Sequence, residues 1–146
     1  MIVGKIALIF SGLLILASCT GNGSMELGIK NGGLSPCPQS PNCVSTQSPD
    51  EDHYIEPIKY SGTLTHARAR LAAVIHSMKR SRIVDVQDDY IHAEFRSAVF
   101  RFVDDVEFYF PSNDPIIQVR SASRIGYYDF GVNRRRIERI RHEFER

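Results

Sequence analysis

Tyr90-Ile91-His92-Ala93-Glu94-Phe95-Arg96-Ser97 alternates apolar and polar side chains, and Phe100-Arg101-Phe102-Val103-Asp104-Asp105-Val106-Glu107-Phe108-Tyr109-Phe110 continues in the same rhythm. A period of two marks a strand with one face on a core. Ile91, Ala93 and Phe95 share one side, and Tyr90, His92, Glu94 and Arg96 share the other. In the second run Phe100, Phe102, Val106, Phe108 and Phe110 fall in one phase. Residues 83–87 alternate likewise before an Asp88-Asp89 turn, and residues 116–123 follow a turn rich in proline, Pro111 to Pro115. Four consecutive strands on short connections imply an antiparallel sheet.

Helical patterns flank these strands. Leu64, Ala67, Leu71, Val74, Ile75 and Met78 recur at helical spacing, with Thr63 or Thr65 as N-cap. Ile137, Ile140 and Phe144 repeat the pattern near the end, where Asn133 is the expected cap. Residues 53–60 read as a short strand that Pro57 confines to an edge. The order is β-α-β-β-β-β-α. Two one-sided helices and an antiparallel sheet of four to five strands give a two-layer α+β domain with both helices on one face. The other face is then expected to display His92, Glu94 and Arg96 to solvent.

The chain has 146 residues, 24% charged and 42% hydrophobic, with a net charge of +1. That balance suits one globular domain and gives no drive toward nucleic acid, whose binding demands a cationic excess. The amino terminus is distinctive. Lys5 precedes an apolar run over residues 6–17, too short for a bilayer span of about 20 residues and matching the core of an export signal. It ends in Leu16-Ala17-Ser18-Cys19, which resembles the lipobox of bacterial lipoproteins. The resemblance implies a signal peptide over 1–18 and lipid attachment at Cys19, hence a membrane-tethered protein facing the periplasm. Thr20, where an inner-membrane lipoprotein would carry Asp, points to the outer membrane. The competing reading is an ordinary secretory signal with a chance cysteine.

Residues 19–33 are rich in Gly, Asn and Ser and read as a flexible tether, with the domain over 34–146. Cys37 and Cys43 sit in a loop with Pro36, Pro38 and Pro41. In an oxidising compartment the expected outcome is a disulfide. Zinc ligation lacks nearby partners to complete four, and a redox pair would be spaced Cys-x-x-Cys; metal binding and free thiols remain the alternatives.

The stretch from Arg120 to Arg136 packs five arginines around a strand-to-helix junction. Guanidinium groups and a helix N-terminus both suit anions, so Arg120, Arg124, Asp129, Asn133 and Arg134 form a candidate anion-binding set. Asp104 and Asp105 point to opposite faces of their strand, and the one on the core side needs a cation, for which an arginine of this stretch, Arg120 or Arg124 foremost, is the natural partner. A purely architectural ion network is the competing account. No serine elbow, phosphate loop or His-x-x-x-His pair is present, so no metal or cofactor is expected; His92 and Glu94 on one strand face read as solvated polar residues before an acid–base pair.

The motifs Ser35-Pro36-Cys37 through Cys43-Val44-Ser45, Tyr90 through Phe95, Phe102 through Phe108, and Arg120-Ser121-Ala122-Ser123-Arg124 through Asn133 to Arg136 resemble the DUF1499 family, over about residues 34–144. That resemblance implies a fold unit defined by the cysteine loop and the arginine junction, and no activity. The expected function is therefore a lipid-anchored, non-enzymatic binding or structural module of the envelope, its partners the membrane through Cys19 and an anionic ligand or envelope protein. The alternative is a periplasmic enzyme acting on a phosphate- or carboxylate-bearing substrate.

Overall fold

The computed structural model describes residues 26–146; the expected signal peptide over 1–18 and Cys19 lie outside the described residues. The elements are β1 (Ile29–Lys30), β2 (Gly33–Leu34), β3 (Cys43–Ser45), β4 (Ile58–Lys59), α1 (Leu64–Ser77), β5 (Ser81–Val86), β6 (Tyr90–Arg96), β7 (Val103–Tyr109), β8 (Ile116–Ser123) and α2 (Val132–Glu145). The fold is α+β. β3-β8-β7-β6-β5 form an antiparallel sheet, β4 joins the outer edge of β8 beyond β3, and β1 and β2 make a separate hairpin.

The register follows the alternation. Ala93 opposes Val106, which opposes Ser121; Ile91 opposes Phe108, which opposes Val119. These apolar residues meet Leu71 and Ile75 of α1 and Ile137, Ile140 and Phe144 of α2 in one core. Both helices cover the same face, α1 beside β5 and α2 over β8 and β3. Burying a side chain such as Phe108 contributes about 3 kcal/mol. Thr63 caps α1, its side chain accepting from His66 N.

The structure corrects several expectations. The sheet has six strands, because β3 lies in the proline-rich cysteine segment and pairs with β8. The strand expected over 53–60 shrinks to Ile58–Lys59. Phe100 and Phe102 precede β7 in an exposed turn, where their rings stack at 5.5 Å. The expected tether does not extend to residue 33: β1 and β2 fold back beside β7 and β8, on the face without helices, and Glu107 Oε1 holds Gly28 N at 2.7 Å. Asn133 does not cap α2. Gly131, in the left-handed region at φ 72°, is the N-cap, and Asn133 lies fully buried inside the first turn.

Cys37 and Cys43 are disulfide-bonded, with Cα atoms 5.7 Å apart. The bond ties the loop before β3 to the edge of the sheet. In an oxidised sample, replacing both cysteines by serine is expected to lower stability by about 2 kcal/mol, the loop-closure entropy of so short a ring. Denaturant melts checked with and without reductant should show the reductant destabilising the parent and leaving the double variant unchanged.

Candidate functional site

Each arginine of the junction finds a partner inside the protein, and strand alternation decides which. Arg120 on β8 and Arg124 just past its end point to the helix-free face, while Ser121 and Ser123 point toward α2. On β7 the same rule sends Asp105 and Glu107 to the helix-free face and Asp104 to the helix side.

The helix-free face carries two linked groups of charge. Arg120 donates to Glu107 at 3.0 Å, both almost wholly buried, and Tyr90 Oη donates to the other carboxylate oxygen at 2.8 Å. Burial and the facing Glu107 charge push the Tyr90 hydroxyl well above its usual range. Nearer the strand ends Arg124 grips Asp105 with Nε and Nη2, both at 2.7 Å, and reaches Glu94 at 2.6 Å. His92 Nε2 lies 2.7 Å from Asp105 Oδ1. Arg82 from β5 contacts Glu94 at 2.9 Å, and Arg96 stands 3.7 Å away. Three guanidinium groups therefore converge on Glu94.

Burial works to raise the Asp105 carboxyl, but hydrogen bonds from Arg124 and His92 outweigh it and lower it to about 2. Burial opposes the same effect at Glu94, where Arg82 and Arg124 hold the carboxyl below its usual range. Both groups are fixed as anions. His92 and Glu94, expected to be solvated, are 7% and 6% exposed, covered on a face that carries its own counter-charges.

The helix side carries a second network. The cation on the core-side Asp104 is Arg136 of α2, and not Arg120 or Arg124. Arg136 also lies 5.0 Å from the Phe95 ring centre and donates to Ser121 and Asn133. Asn133 accepts from Ser121 at 2.6 Å and donates to Asn42 O, Ser123 Oγ and Asp129 Oδ2. Asp129 in turn accepts from the backbone of Gly131 and Asn133, doing the capping expected of Asn133. Asn42 Nδ2 reaches Gly126 O at 2.6 Å, which pins the cysteine loop to the junction.

The five residues of the expected anion set are thus not one site. Asp129 and Asn133 are brought together under the helix start, Arg120 is enclosed with Glu107, and Arg124 lies on the helix-free face with its side chain 40% exposed. Arg134 donates to the carbonyls of Tyr54 and Asp52. It borders a cleft of about 420 Å³ between the disulfide loop and the junction, lined also by His53, Tyr127, Tyr128 and Asp129. Arg82, which the sequence did not single out, and Arg96, expected only as a solvated residue of this face, complete the exposed cluster around Arg124; only the strand order β8-β7-β6-β5 brings the three together. Among the described residues no group of three or more His, Cys, Asp or Glu is placed to hold a metal, and no helix is long and apolar enough to cross a membrane.

Asp105 titrates at about 2 in the fold against 3.8 ordinarily, so its pairing stabilises the protein above pH 4 and is lost as pH falls toward 2. The linkage is worth about 2 kcal/mol. Arg124→Ala should lower neutral-pH stability by at least that amount, because it strands a buried carboxylate. It should also flatten the fall in stability between pH 4 and 2, as read by urea melts across that range.

The family model described as "Protein of unknown function (DUF1499)" matches residues 33–144, and the chain belongs to that family. No curated protein matches it.

Proposed function

We propose that this DUF1499 protein is a lipid-anchored protein of the cell envelope that binds anionic groups without transforming them. The anchor rests on Leu16-Ala17-Ser18-Cys19 following a short apolar run. The binding reading rests on one observation: Arg82, Arg96 and Arg124 gather about Glu94 on an open sheet face, with Asp105 the only further carboxylate paired to any of them among the described residues.

Three guanidinium groups against two carboxylates leave a positive excess. Arg82 and Arg96 are 64% and 44% exposed in their side chains, so much of that excess faces solvent. Planar guanidinium forks suit phosphate and carboxylate oxygens. The carboxylates beneath are held ionised, which favours a fixed electrostatic platform over proton transfer near neutral pH. The anion-binding role expected of Arg120, Asp129, Asn133 and Arg134 is therefore assigned in this reading to Arg82 and Arg96 beside Arg124.

Two measurements test the two halves. Wild-type protein should take up labelled palmitate and fractionate with membranes; Cys19→Ser should do neither. Titration with glycerol 1-phosphate, followed by arginine side-chain NMR, should show saturable binding in the millimolar range. The Arg82→Ser/Arg96→Ser variant should lose it while its melting temperature holds, since exposed ion pairs contribute little to stability. Release of inorganic phosphate from the ester during the titration would instead support an enzyme at the same face.

A further inference from the structure

Ten large apolar side chains are exposed among the described residues, and their distribution is uneven. Seven lie in two loops, Val99, Phe100 and Phe102 between β6 and β7, and Ile125, Tyr127, Tyr128 and Phe130 between β8 and α2. These loops leave the same end of the sheet and are neighbours: Arg124 N donates to Val103 O, and Ser123 pairs with Asp104. Phe100, Tyr127 and Phe130 are each about three-quarters exposed. Scattered exposed apolar residues need no explanation, but a cluster marks a contact surface.

The two loops carry one acid, Asp129, which is taken up by the backbone N–H groups of Gly131 and Asn133, and three cations stand at this end. The turn from α1 to β5 brings Lys79 and Arg80 there, and the β6–β7 loop adds Arg101, all exposed. Arg80 Nε donates to Arg96 O, which fixes the two connections side by side. None of Lys79, Arg80 or Arg101 is ion-paired among the described residues. The turns at the opposite end of the sheet carry Asp88, Asp89 and Asp114. One pole of this near-neutral protein thus combines Lys79, Arg80 and Arg101 with most of its exposed aromatics, while Asp88 at the other end is already met by Arg68.

We infer that this pole rests on an anionic phospholipid surface, with Phe100, Phe102, Ile125 and Phe130 in the boundary between headgroups and acyl chains and Lys79, Arg80 and Arg101 on lipid phosphates. Aromatic and aliphatic side chains ringed by cations are the chemistry that such a boundary selects. Geometry agrees. From Glu107, which holds Gly28, the strand runs four residues to Val103, about 13 Å. The nine residues from Cys19 to Gly28 span at most about 30 Å. A lipid on Cys19 would therefore keep the bilayer within reach of these loops. The inference rests on the anchored reading for the nearness of a membrane, and on the pole itself for the attraction.

The chain contains no tryptophan, so Phe100→Trp installs a single reporter at the pole. In the full chain carrying Cys19→Ser, its emission should shift to the blue on adding vesicles of phosphatidylethanolamine and phosphatidylglycerol. It should stay unchanged with phosphatidylcholine alone. Adding Arg80→Asn and Arg101→Asn should weaken the apparent binding at least about tenfold, since each surface cation contributes to attraction. Asparagine is chosen because Arg80 and Arg101 occupy the left-handed region, at φ 61° and 55°. Quenching by brominated phosphatidylglycerol should place the indole at the boundary. Emission unmoved by anionic vesicles, or equal binding by the asparagine variant, would overturn the inference; the first result would assign the pole to a protein partner. Palmitate labelling reports on the anchor separately, so a failed anchor and a failed pole are distinguishable.

Discussion

Asp104, Asp105 and Glu107 of one strand are all withdrawn from water, and each needs a guanidinium group at a fixed place. A carboxylate left alone in such surroundings costs several kcal/mol, far more than a surface pair returns. Arg136, Arg124 and Arg120 meet that need from two different elements. The alternation of β7 assigns the three acids to two faces, and the alternation of β8 sends Arg120 and Arg124 to one of them. The remaining face must then be served by a helix, which fixes the rotation of α2 about its axis. Arg136 can reach Asp104 only if Asn133 lies one turn earlier against Ser121 and Ser123.

This constraint accounts for most of the stretch from Arg120 to Arg136. Ser121 and Ser123 must be small and polar to bond Asn133, and Ala122 must be small because it is fully buried opposite Cys43. Gly131 takes a left-handed φ, and a Cβ there would stand 3.0 Å from Arg135 Nη1. Asp129 holds the start of the helix. A chain in which so many motif residues bond one another describes how a fold is held, and leaves the exposed residues to carry recognition.

What was legible in the sequence follows from this division. Local signals were readable: the period of two in β6, the helical stripe of α1 and the Thr63 cap. The strand β3 was hidden because its three residues carry no period and sit among prolines, which are turn signals. It exists through pairing with an edge of β8 that is about 80 residues away. The hairpin of β1 and β2 was hidden similarly, since its glycines suggest freedom and only the buried Glu107 orders Gly28. That an arginine of the junction serves Asp104 was legible, but Arg136 was not singled out, because a strand neighbour is visible in sequence whereas a helix across the layer is not. Phe100 and Phe102 continue the phase of β7 and so imitate core residues, yet the strand ends before them.

That last misreading has a physical lesson about the pole. Aromatics in phase with a buried strand are normally kept because a core needs them. Here the core closes at Val106, Phe108 and Phe110, and the phase continues into solvent for two further aromatics. Neither ring belongs to the core, and exposed rings invite aggregation. Their presence beside three cations that are unpaired among the described residues fits a surface that takes both. The buried network supplies the stiffness for that role. Arg124 ties β8 to β7 and β6 where the loops begin, and Asn42 ties the cysteine loop to Gly126. The same ion pairs that neutralise the acids of β7 therefore hold the loops of the pole in one orientation, so that cations and rings meet a surface together.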